Sequence, residues 1–316
     1  MRYSRFAFLI LACIHLAVLG AGFLAPYDPA EQNRAAILQR PDVIRFQHAL
    51  PVILTAEGRI YPLHFLVRGN KYRWFFGTVS ETHLFGVDEP GHVFLAGTDE
   101  FGRDQFSRML WGGQVSLAAG WLATLLALSF GLLSGVVAGF FGGWRDVVLM
   151  RGAELFLALP WLYFLLAVRA FLPLSLSPWK TALTIALIIG AIAWPRPARL
   201  IRGVVLSAKE RDYVYSARGF GASWWHIIVK HCLPETYSVV ATQATLLLPQ
   251  FILAEVTLSF VGFGVGDPAV SWGTLLASFR QIAILSSAWW MLIPALLLAT
   301  VVWCFSRLED NTRSGF

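Results

Sequence analysis

Charged residues are scarce in this 316-residue chain: Asp, Glu, Lys and Arg make up 14% of it, whereas apolar residues make up 57%. Soluble globular proteins carry about 25% charged residues. The scarcity excludes an intrinsically disordered chain, because disordered chains are rich in charge and poor in apolar residues. It also excludes an ordinary cytosolic enzyme and indicates a membrane protein whose apolar residues are gathered in long runs.

Cysteine is rare as well. The chain contains only Cys13, Cys232 and Cys304, and none of them lies in the long polar segment 26–108. A disulfide framework is therefore excluded for that segment, which has to fold without one.

Motifs of nucleotide binding, metal binding and hydrolysis are missing. The sequence has no G-x-x-x-x-G-K-[ST] phosphate loop, no C-x-x-C, no H-E-x-x-H and no G-x-S-x-G. Its seven histidines are scattered, and nothing in their spacing brings several of them to one metal ion. We therefore expect no catalytic site and no metal site, and no nucleotide held by a phosphate loop.

Six apolar runs are long enough to cross a membrane, at 6–25, 114–141, 147–172, 181–201, 238–264 and 287–306. A helix needs about 20 mostly apolar residues to cross ~30 Å of hydrocarbon. We interpret the first run as an uncleaved anchor, because it exceeds the 7–15 apolar residues typical of a signal peptide, which is the alternative. The predicted fold is an all-α polytopic membrane protein with six transmembrane helices.

The basic residues predict the orientation, because short cytoplasmic loops are enriched in Lys and Arg. Arg2 and Arg5 precede the first run, and seven basic residues lie between positions 196 and 234. The net charge of +6 is explained by this cluster without a nucleic-acid partner. We predict that both termini and the 202–235 connection are cytoplasmic and that segment 26–108 is extracytoplasmic.

The predicted organisation has four parts. These are a start with the first transmembrane helix (1–25), an extracytoplasmic segment (26–108), a core with the other transmembrane helices (109–306) and a cytoplasmic tail (307–316). Residues 41–76 alternate short apolar and aromatic stretches with Gly, Pro and Asn turns, which is typical of short strands. We therefore predict a small insertion with short strands between the first two transmembrane helices.

The 202–235 connection is longer than a passive link between two helices needs to be. Small side chains let a partner backbone approach closely, and aromatic ones supply apolar contact area. The connection carries both kinds, namely Ser216, Ala217, Gly221, Ala222 and Ser223 beside Tyr213, Tyr215, Trp224 and Trp225. The pattern favours docking to a protein partner. The alternative is an amphipathic hairpin on the membrane surface, with its basic residues on anionic lipid.

Four blocks of the chain resemble one family. YVYSARGFGASWWHIIVKHCLPE resembles the cytoplasmic EAA loop of ABC importer permeases. AGTDEFGRDQFSRMLWGGQVSL (96–117), DVVLMRGAELFLALP (146–160) and LSFVGFGVGDPAVSWGTLL (258–276) are similar to blocks of the dipeptide/oligopeptide/nickel class, in the same order. The resemblance is to the second of the two permease subunits in such importers, which sit in the bacterial inner membrane.

The resemblance implies half of a translocation pathway, paired with a homologous permease subunit. Two cytosolic ATPase subunits would bind ATP and Mg and dock from below, and an extracytoplasmic binding protein would deliver peptides, nickel chelates or sugars. ATPase coupling would fall to eight residues, namely Tyr213, Tyr215, Ser216, Ala217, Arg218, Gly221, Ala222 and Ser223. Tyr215 occupies the position of the motif's Glu, so any ion pair made by that acid is absent or replaced. The alternative is a stand-alone secondary transporter or channel, which would call for charged relays or an inverted repeat.

Polar residues in the fifth run predict part of the pathway. Gln243, Gln250 and Thr257 are seven residues apart, so they stay near one helical stripe that drifts only ~20° per step. Polar groups at membrane depth avoid lipid, so we predict that the stripe faces the permease interface or a cavity. The alternative is interhelical hydrogen bonding, worth about 0.6 kcal/mol per contact.

Charges just ahead of the second run form an external block. The spacing of its charges predicts an amphipathic helix near an external gate, in contact with the partner permease or the binding protein. The residues concerned are Asp99, Arg103 and Asp104. The alternative is a helix held by its own i,i+4 pairs, Asp99–Arg103 and Asp104–Arg108. In the third run, Arg151 and Glu154 are spaced for a local ion pair on one helix face.

Overall fold

A computed structural model of the chain describes residues 2–47, 50–73, 77–170, 177–267, 269–280 and 287–314. The end of the predicted third span (147–172) and the end of the predicted tail (307–316) lie outside these ranges. Helices dominate the described chain. They are α1 (Arg2–Leu19), α2 (Ala21–Leu24), α3 (Gln105–Phe141), α4 (Gly143–Ala158), α5 (Trp161–Ala170), α6 (Pro178–Ala193), α7 (Pro195–Ala208), α8 (Asp212–Gly219), α9 (Trp224–Ile227), α10 (Leu233–Val261), α11 (Trp272–Ala277) and α12 (Ile293–Ser314).

Shorter helical turns complete these elements. A π-helical turn, Ile228–Cys232, makes α9 and α10 continuous. Two 3₁₀ turns, Ser278–Arg280 and Trp289–Leu292, follow α11 and precede α12.

Three apolar helices of the described chain are long enough to cross a membrane: Gln105–Phe141, Trp224–Val261 and Trp289–Asp310. A fourth crossing results if α6 and α7, which meet at a 41° bend, count as one. The structure thus has a mostly helical chain with fewer helices of spanning length than the six predicted runs.

Glycine and proline account for the shorter helices. Pro195 follows the bend between α6 and α7, and proline supplies no N–H to continue the helical hydrogen bonds. Gly20 separates α1 from α2, so the first run is not one continuous helix. Leu159, which is extended and precedes Pro160, separates α4 from α5. A residue before proline is sterically driven out of the helical region.

Strands fill the segment between α2 and α3. β1 (Val43–Gln47), β2 (Leu50–Leu54) and β3 (Ile60–Pro62) form an antiparallel sheet in that order. β4 (His64–Arg73) and β5 (Val79–Gly86) form an antiparallel hairpin with an irregularity in its register. The strands therefore continue beyond the predicted 41–76.

The chain packs as two compact units. One contains Ala118–Glu255 together with both ends of the chain, and the other contains Phe8–Leu117 and Val256–Val301. The elbow and the external block described below each lie within one unit, whereas the polar stripe has Gln243 and Gln250 in the first unit and Thr257 in the second.

His83 fixes the β4–β5 hairpin in the second unit. Its imidazole is buried, with Nδ1 at 2.6 Å from the carbonyl oxygen of Ala25 and Nε2 at 2.9 Å from that of Asn70. Tyr72 packs so closely on Gly22 that a Cβ there would come within 2.1 Å of its ring. The strand-rich segment is thus held firmly to the residues that follow α1.

Candidate functional site

A helix–turn–helix segment, which we call the elbow, comprises residues 212–226. Val214 is fully buried and belongs to an apolar core that includes Ile201 and Val205 of α7. Ile227, which directly follows the elbow, is buried in the same core. The elbow is therefore fixed to α7 by packed side chains and does not hang as a free loop.

The small residues of the elbow shape its turn. Gly221 has φ +81°, the left-handed conformation that favours glycine. Its N–H donates to the carbonyl of Arg218 at 2.9 Å, and the N–H of Ala222 donates to the carbonyl of Ala217 at 3.0 Å. These two bonds are a Schellman motif, which ends α8. Ser223 then caps α9, because its hydroxyl accepts a hydrogen bond from the N–H of His226 at 3.3 Å.

The exposed surface of the elbow is aromatic. Tyr215, Trp224 and Trp225 are all exposed, and Phe220 has 91% of its surface exposed. Ser216 and Arg218 are exposed on the same segment. Sequence reasoning missed Phe220, although a bulky aromatic residue between two glycines in a turn is a signal for it. Exposed apolar side chains gathered in one place mark interaction surfaces.

Tyr213 is partly occupied by a hydrogen bond within the chain. Its hydroxyl donates to Glu235 Oε1 at 3.1 Å, and Arg211 Nη1 lies 3.6 Å from the same carboxylate oxygen. Desolvation, followed by the hydrogen bond to Glu235, raises the pKa of Tyr213. Tyr213 is therefore a brace between α8 and the start of α10, and only part of its ring is open to a partner.

A bidentate ion pair joins α4 to α7. Arg202 Nε lies 2.5 Å from Asp146 Oδ1, and its Nη2 lies 2.6 Å from Oδ2. The hydrogen bonds from Arg202 lower the pKa of Asp146. Sequence reasoning missed this pair, since its members are 56 residues apart. The predicted local pair is confirmed, with Arg151 Nη1 at 2.9 Å from Glu154 Oε2.

The three polar residues predicted for the pathway all lie on α10. Gln243 is half-buried, whereas Gln250 and Thr257 are exposed. Gln250 also lines a mainly apolar cavity of about 140 Å³, together with Leu165 of α5 and Ile189 of α6. Two of the three side chains are therefore accessible at the surface of their own units.

The external block is a loop and not the predicted helix. Residues 97–104 contain an isolated bridge between Thr98 and Asp104, and α3 begins only at Gln105. Gly97 and Gly102 have φ values of +71° and +72°, which no α-helix contains. The i,i+4 spacing of the charges was therefore misleading here.

Asp104 is the N-terminal cap of α3. Its carboxylate accepts a hydrogen bond from the N–H of Ser107 at 2.8 Å, satisfying one of the free donors at the helix start. Burial raises the pKa of Asp104 to about 6, against the opposing effect of its hydrogen bonds with Ser107.

Asp99 and Arg103 form the buried pair that the alternative interpretation predicted, but they form it in a loop and not in a helix. Arg103 Nε lies 2.7 Å from Asp99 Oδ2, and its Nη1 lies 2.9 Å from Asp267 Oδ1. The predicted partner of Arg108 was wrong: its guanidinium lies 3.6 Å from Asp99 and 3.7 Å from Asp267, and its Nη1 donates to the carbonyl of Pro29. Two of the sequence blocks, 96–117 and 258–276, thus meet through these charges.

Metal ligands are not gathered in this part of the molecule. Within the ranges that the structure describes, no three or more His, Cys, Asp or Glu residues are placed to hold a metal ion. The elbow and the external block together offer binding surfaces and ion pairs, and neither has an arrangement of nucleophile and base.

Comparison with known proteins gives consistent matches. Residues 131–311 match the family described as "Binding-protein-dependent transport system inner membrane component". The chain is 35% identical over 287 residues to a putative peptide permease protein of Brucella suis biovar 1 (strain 1330), covering 90% of this chain and 87% of that protein. It is 37% identical over 220 residues to the dipeptide transport system permease protein DppC of Bacillus subtilis (strain 168), covering 69% and 67%. It is 35% identical over 227 residues to the oligopeptide transport system permease protein OppC of Haemophilus influenzae, covering 71% and 70%.

Proposed function

The chain belongs to the family of binding-protein-dependent transport system inner membrane components, the permease subunits of ABC importers, and we propose that it carries peptides. Relatives named for peptide, dipeptide and oligopeptide transport support this cargo over nickel chelates or sugars. The observation that carries the mechanism is the elbow. It is an exposed aromatic surface anchored by packed side chains. Because the chain has no phosphate loop, this surface supports docking to a separate ATPase chain.

In the proposed arrangement, two cytosolic ATPase subunits serve the importer and bind ATP and Mg. The elbow of this chain docks on one of them through Tyr215, Phe220, Trp224 and Trp225. The other predicted coupling residues support this surface: Gly221, Ala222 and Ser223 set the turn, and Tyr213 braces it. Because Val214 is packed against α7, a movement of the ATPase would turn α7 and the elbow together.

We propose six membrane crossings in the bacterial inner membrane, with both termini cytoplasmic. The parts would be those predicted from the sequence: 1–25, an extracytoplasmic segment at 26–108, a core at 109–306 and a tail at 307–316. The bent pair α6–α7 would supply one crossing and α4–α5 another. The strand-rich segment would then face the binding protein outside.

The pathway would form between this chain and a homologous permease subunit. Gln250 and Thr257 are exposed polar groups on a helix of spanning length, and polar side chains at that depth are costly in lipid. They would line the pathway, with Gln243 beside them. Asp99, Arg103 and Asp104 are buried and would shape the external gate. Arg103, paired with Asp99, would hold Asp267 of the 258–276 block, and Asp104 would fix the start of α3.

The experiment is purification of the native complex and uptake of tri-alanine into proteoliposomes. We expect ATPase subunits to co-purify, and uptake to require both ATP and the extracytoplasmic binding protein. Uptake by this chain alone, driven by an ion gradient and without an ATPase, would establish the secondary-transporter alternative instead.

A further inference from the structure

A polar cavity of about 250 Å³ lies in the second unit, beside the external block. Its buried lining includes Gln105 and Arg108 of α3, and its exposed lining includes Phe101, Asp267 and Arg280. The cavity therefore leads from the protein surface to buried polar side chains. Its volume is slightly below the 300–1,000 Å³ of typical small-ligand pockets, so it has room for one end of a short peptide.

The buried end of the cavity contains unmet hydrogen-bonding groups. The side chain of Gln105 is fully buried, and neither its Nε2 nor its Oε1 has a hydrogen-bond partner among the described residues. The Nε of the buried Arg108 also makes no hydrogen bond, but it is not unpaired, because it lies 3.6 Å from the carboxylate of Asp99. Leaving a buried polar group without a hydrogen bond is costly, so native proteins rarely keep both atoms of one buried amide unpaired without a reason. Exchange of the amide oxygen and nitrogen of Gln105 would not alter this, because both atoms are unpartnered.

The ionisable side chains of the lining balance in number. Asp99, Glu100 and Asp267 face Arg103, Arg108 and Arg280. A simple anion would meet three carboxylates there, and a simple cation would meet three guanidinium groups. A ligand with both charges and an amide fits best. A peptide C=O can accept from Gln105 Nε2, its N–H can donate to Gln105 Oε1, and a terminal carboxylate can pair with Arg280, the exposed arginine of the lining.

We propose that this cavity is a binding site for one end of a zwitterionic short peptide on its way into the importer, with Gln105 reading the peptide group. The proposal rests on the peptide cargo inferred above. Asp267 and Glu100, at the accessible part of the cavity, would lie near the ammonium group of a dipeptide or tripeptide. Water is the competing occupant, since it also satisfies buried polar groups.

The test uses the purified permease–ATPase complex and a tri-alanine analogue with a diazirine side chain at its central residue. The binding protein is omitted from the labelling step, so that any label reports the permease itself. We expect label in the proteolytic fragments that contain Phe101 or Thr274, both of which line the cavity. Excess tri-alanine should compete with the probe better than N-acetyl-tri-alanine amide, which lacks both charges.

Gln105→Leu is the diagnostic variant, because it removes the amide and keeps the volume. Two lost hydrogen bonds should reduce the labelling about tenfold. The same substitution should leave the melting temperature of the complex unchanged or raise it, since the amide is unpaired without peptide. Gln114→Leu is the matched control, because Gln114 lies on α3 like Gln105 but its amide is paired. Its Nε2 donates to the carbonyl of Val18 in α1 at 3.0 Å. That control should lower the melting temperature and leave the labelling unchanged.

Failure of this inference and failure of the proposed peptide cargo give different results. If the unsubstituted complex imports tri-alanine with its binding protein, but the fragments stay unlabelled or Gln105→Leu labels as well as wild type, then the cavity holds water and the inference is wrong. If the unsubstituted complex imports no peptide at all, the proposed cargo is wrong and the inference is wrong with it.

Discussion

Phe220 is the side chain on which docking of the elbow should depend most. It is 91% exposed in this chain, so nearly its whole surface is left for a partner to bury. Complete burial of a phenylalanine side chain is worth about 1.5–3 kcal/mol. Phe220→Ala should therefore weaken the binding of the ATPase subunits by about ten- to a hundredfold. It should change the stability of the permease itself by less than about 0.5 kcal/mol, as is usual for a surface substitution.

The assay compares ATPase binding with melting temperature in the same detergent preparation. Phe46→Ala is the matched control, because Phe46 is also a highly exposed phenylalanine, at 78%, on β1 in the segment we place outside the membrane. The control should bind the ATPase subunits as wild type does. Peptide-stimulated ATP hydrolysis should fall in the Phe220 variant and persist in the Phe46 variant.

Wild-type ATPase affinity in Phe220→Ala, at unchanged melting temperature, would refute the assignment of this surface. The alternative of an elbow lying on lipid headgroups gives a different result. It predicts that both variants bind the ATPase equally and that only binding to anionic vesicles changes.

Three further predictions concern other parts of the chain. Burial raises the pKa of Asp104 from 3.8 to about 6, so the protein should lose up to about 3 kcal/mol of stability as this carboxyl ionises with rising pH. Asn caps helices as well as Asp does, so Asp104→Asn should raise the melting temperature at pH 7.5 and have little effect at pH 4. An equal effect at both pH values would contradict this prediction. Asp146→Asn and Arg202→Gln should each destabilise the protein, and a double-mutant cycle in denaturant should give a coupling of about 1–2 kcal/mol; additive effects would mean that the bidentate pair contributes nothing. Gln250→Cys should react with a water-soluble thiol reagent, whereas Leu133→Cys, at an exposed apolar position on α3, should not. If Gln250→Cys is protected from the reagent in every nucleotide state, interhelical hydrogen bonding is favoured instead.

The elbow could be predicted from the sequence because its signals are local. The small and aromatic residues of 213–225 marked this part of the connection, and its small residues form a turn with the hydrogen bonds of a Schellman motif. Its tertiary support could not be predicted. The burial of Val214 depends on α7, and the choice of Phe220 over its neighbours as the most exposed aromatic depends on how the turn is oriented.

The external block shows the opposite case. The i,i+4 spacing of its charges fits a helix, but it fits equally a loop in which Asp99 accepts hydrogen bonds from the N–H groups of Phe101 and Arg103. Gly97 and Gly102 were the signal for the loop. The contact of Arg103 with Asp267, 164 residues away, depends on tertiary packing and has no local signature.

The helix lengths also show the limit of hydropathy. Apolar composition identified runs that could cross a membrane, but composition does not register a break at one residue. Gly20 and Pro160 interrupt runs that are apolar on both sides. The strands were predictable as alternating stretches, whereas their continuation to Gly86 was not, since β5 depends on pairing with β4.

The central claim is that the elbow transmits ATP-driven motion from a separate chain, and site-directed cross-linking at its tip tests it most directly. A single cysteine at position 220, in a variant with its other cysteines replaced by serine, is exposed to a short bifunctional reagent in the intact complex. We predict a cross-link to an ATPase subunit whose yield changes when ATP replaces ADP. Labelling of that cysteine from the outer side of the membrane, or peptide import by a complex that contains no ATPase, would contradict the account.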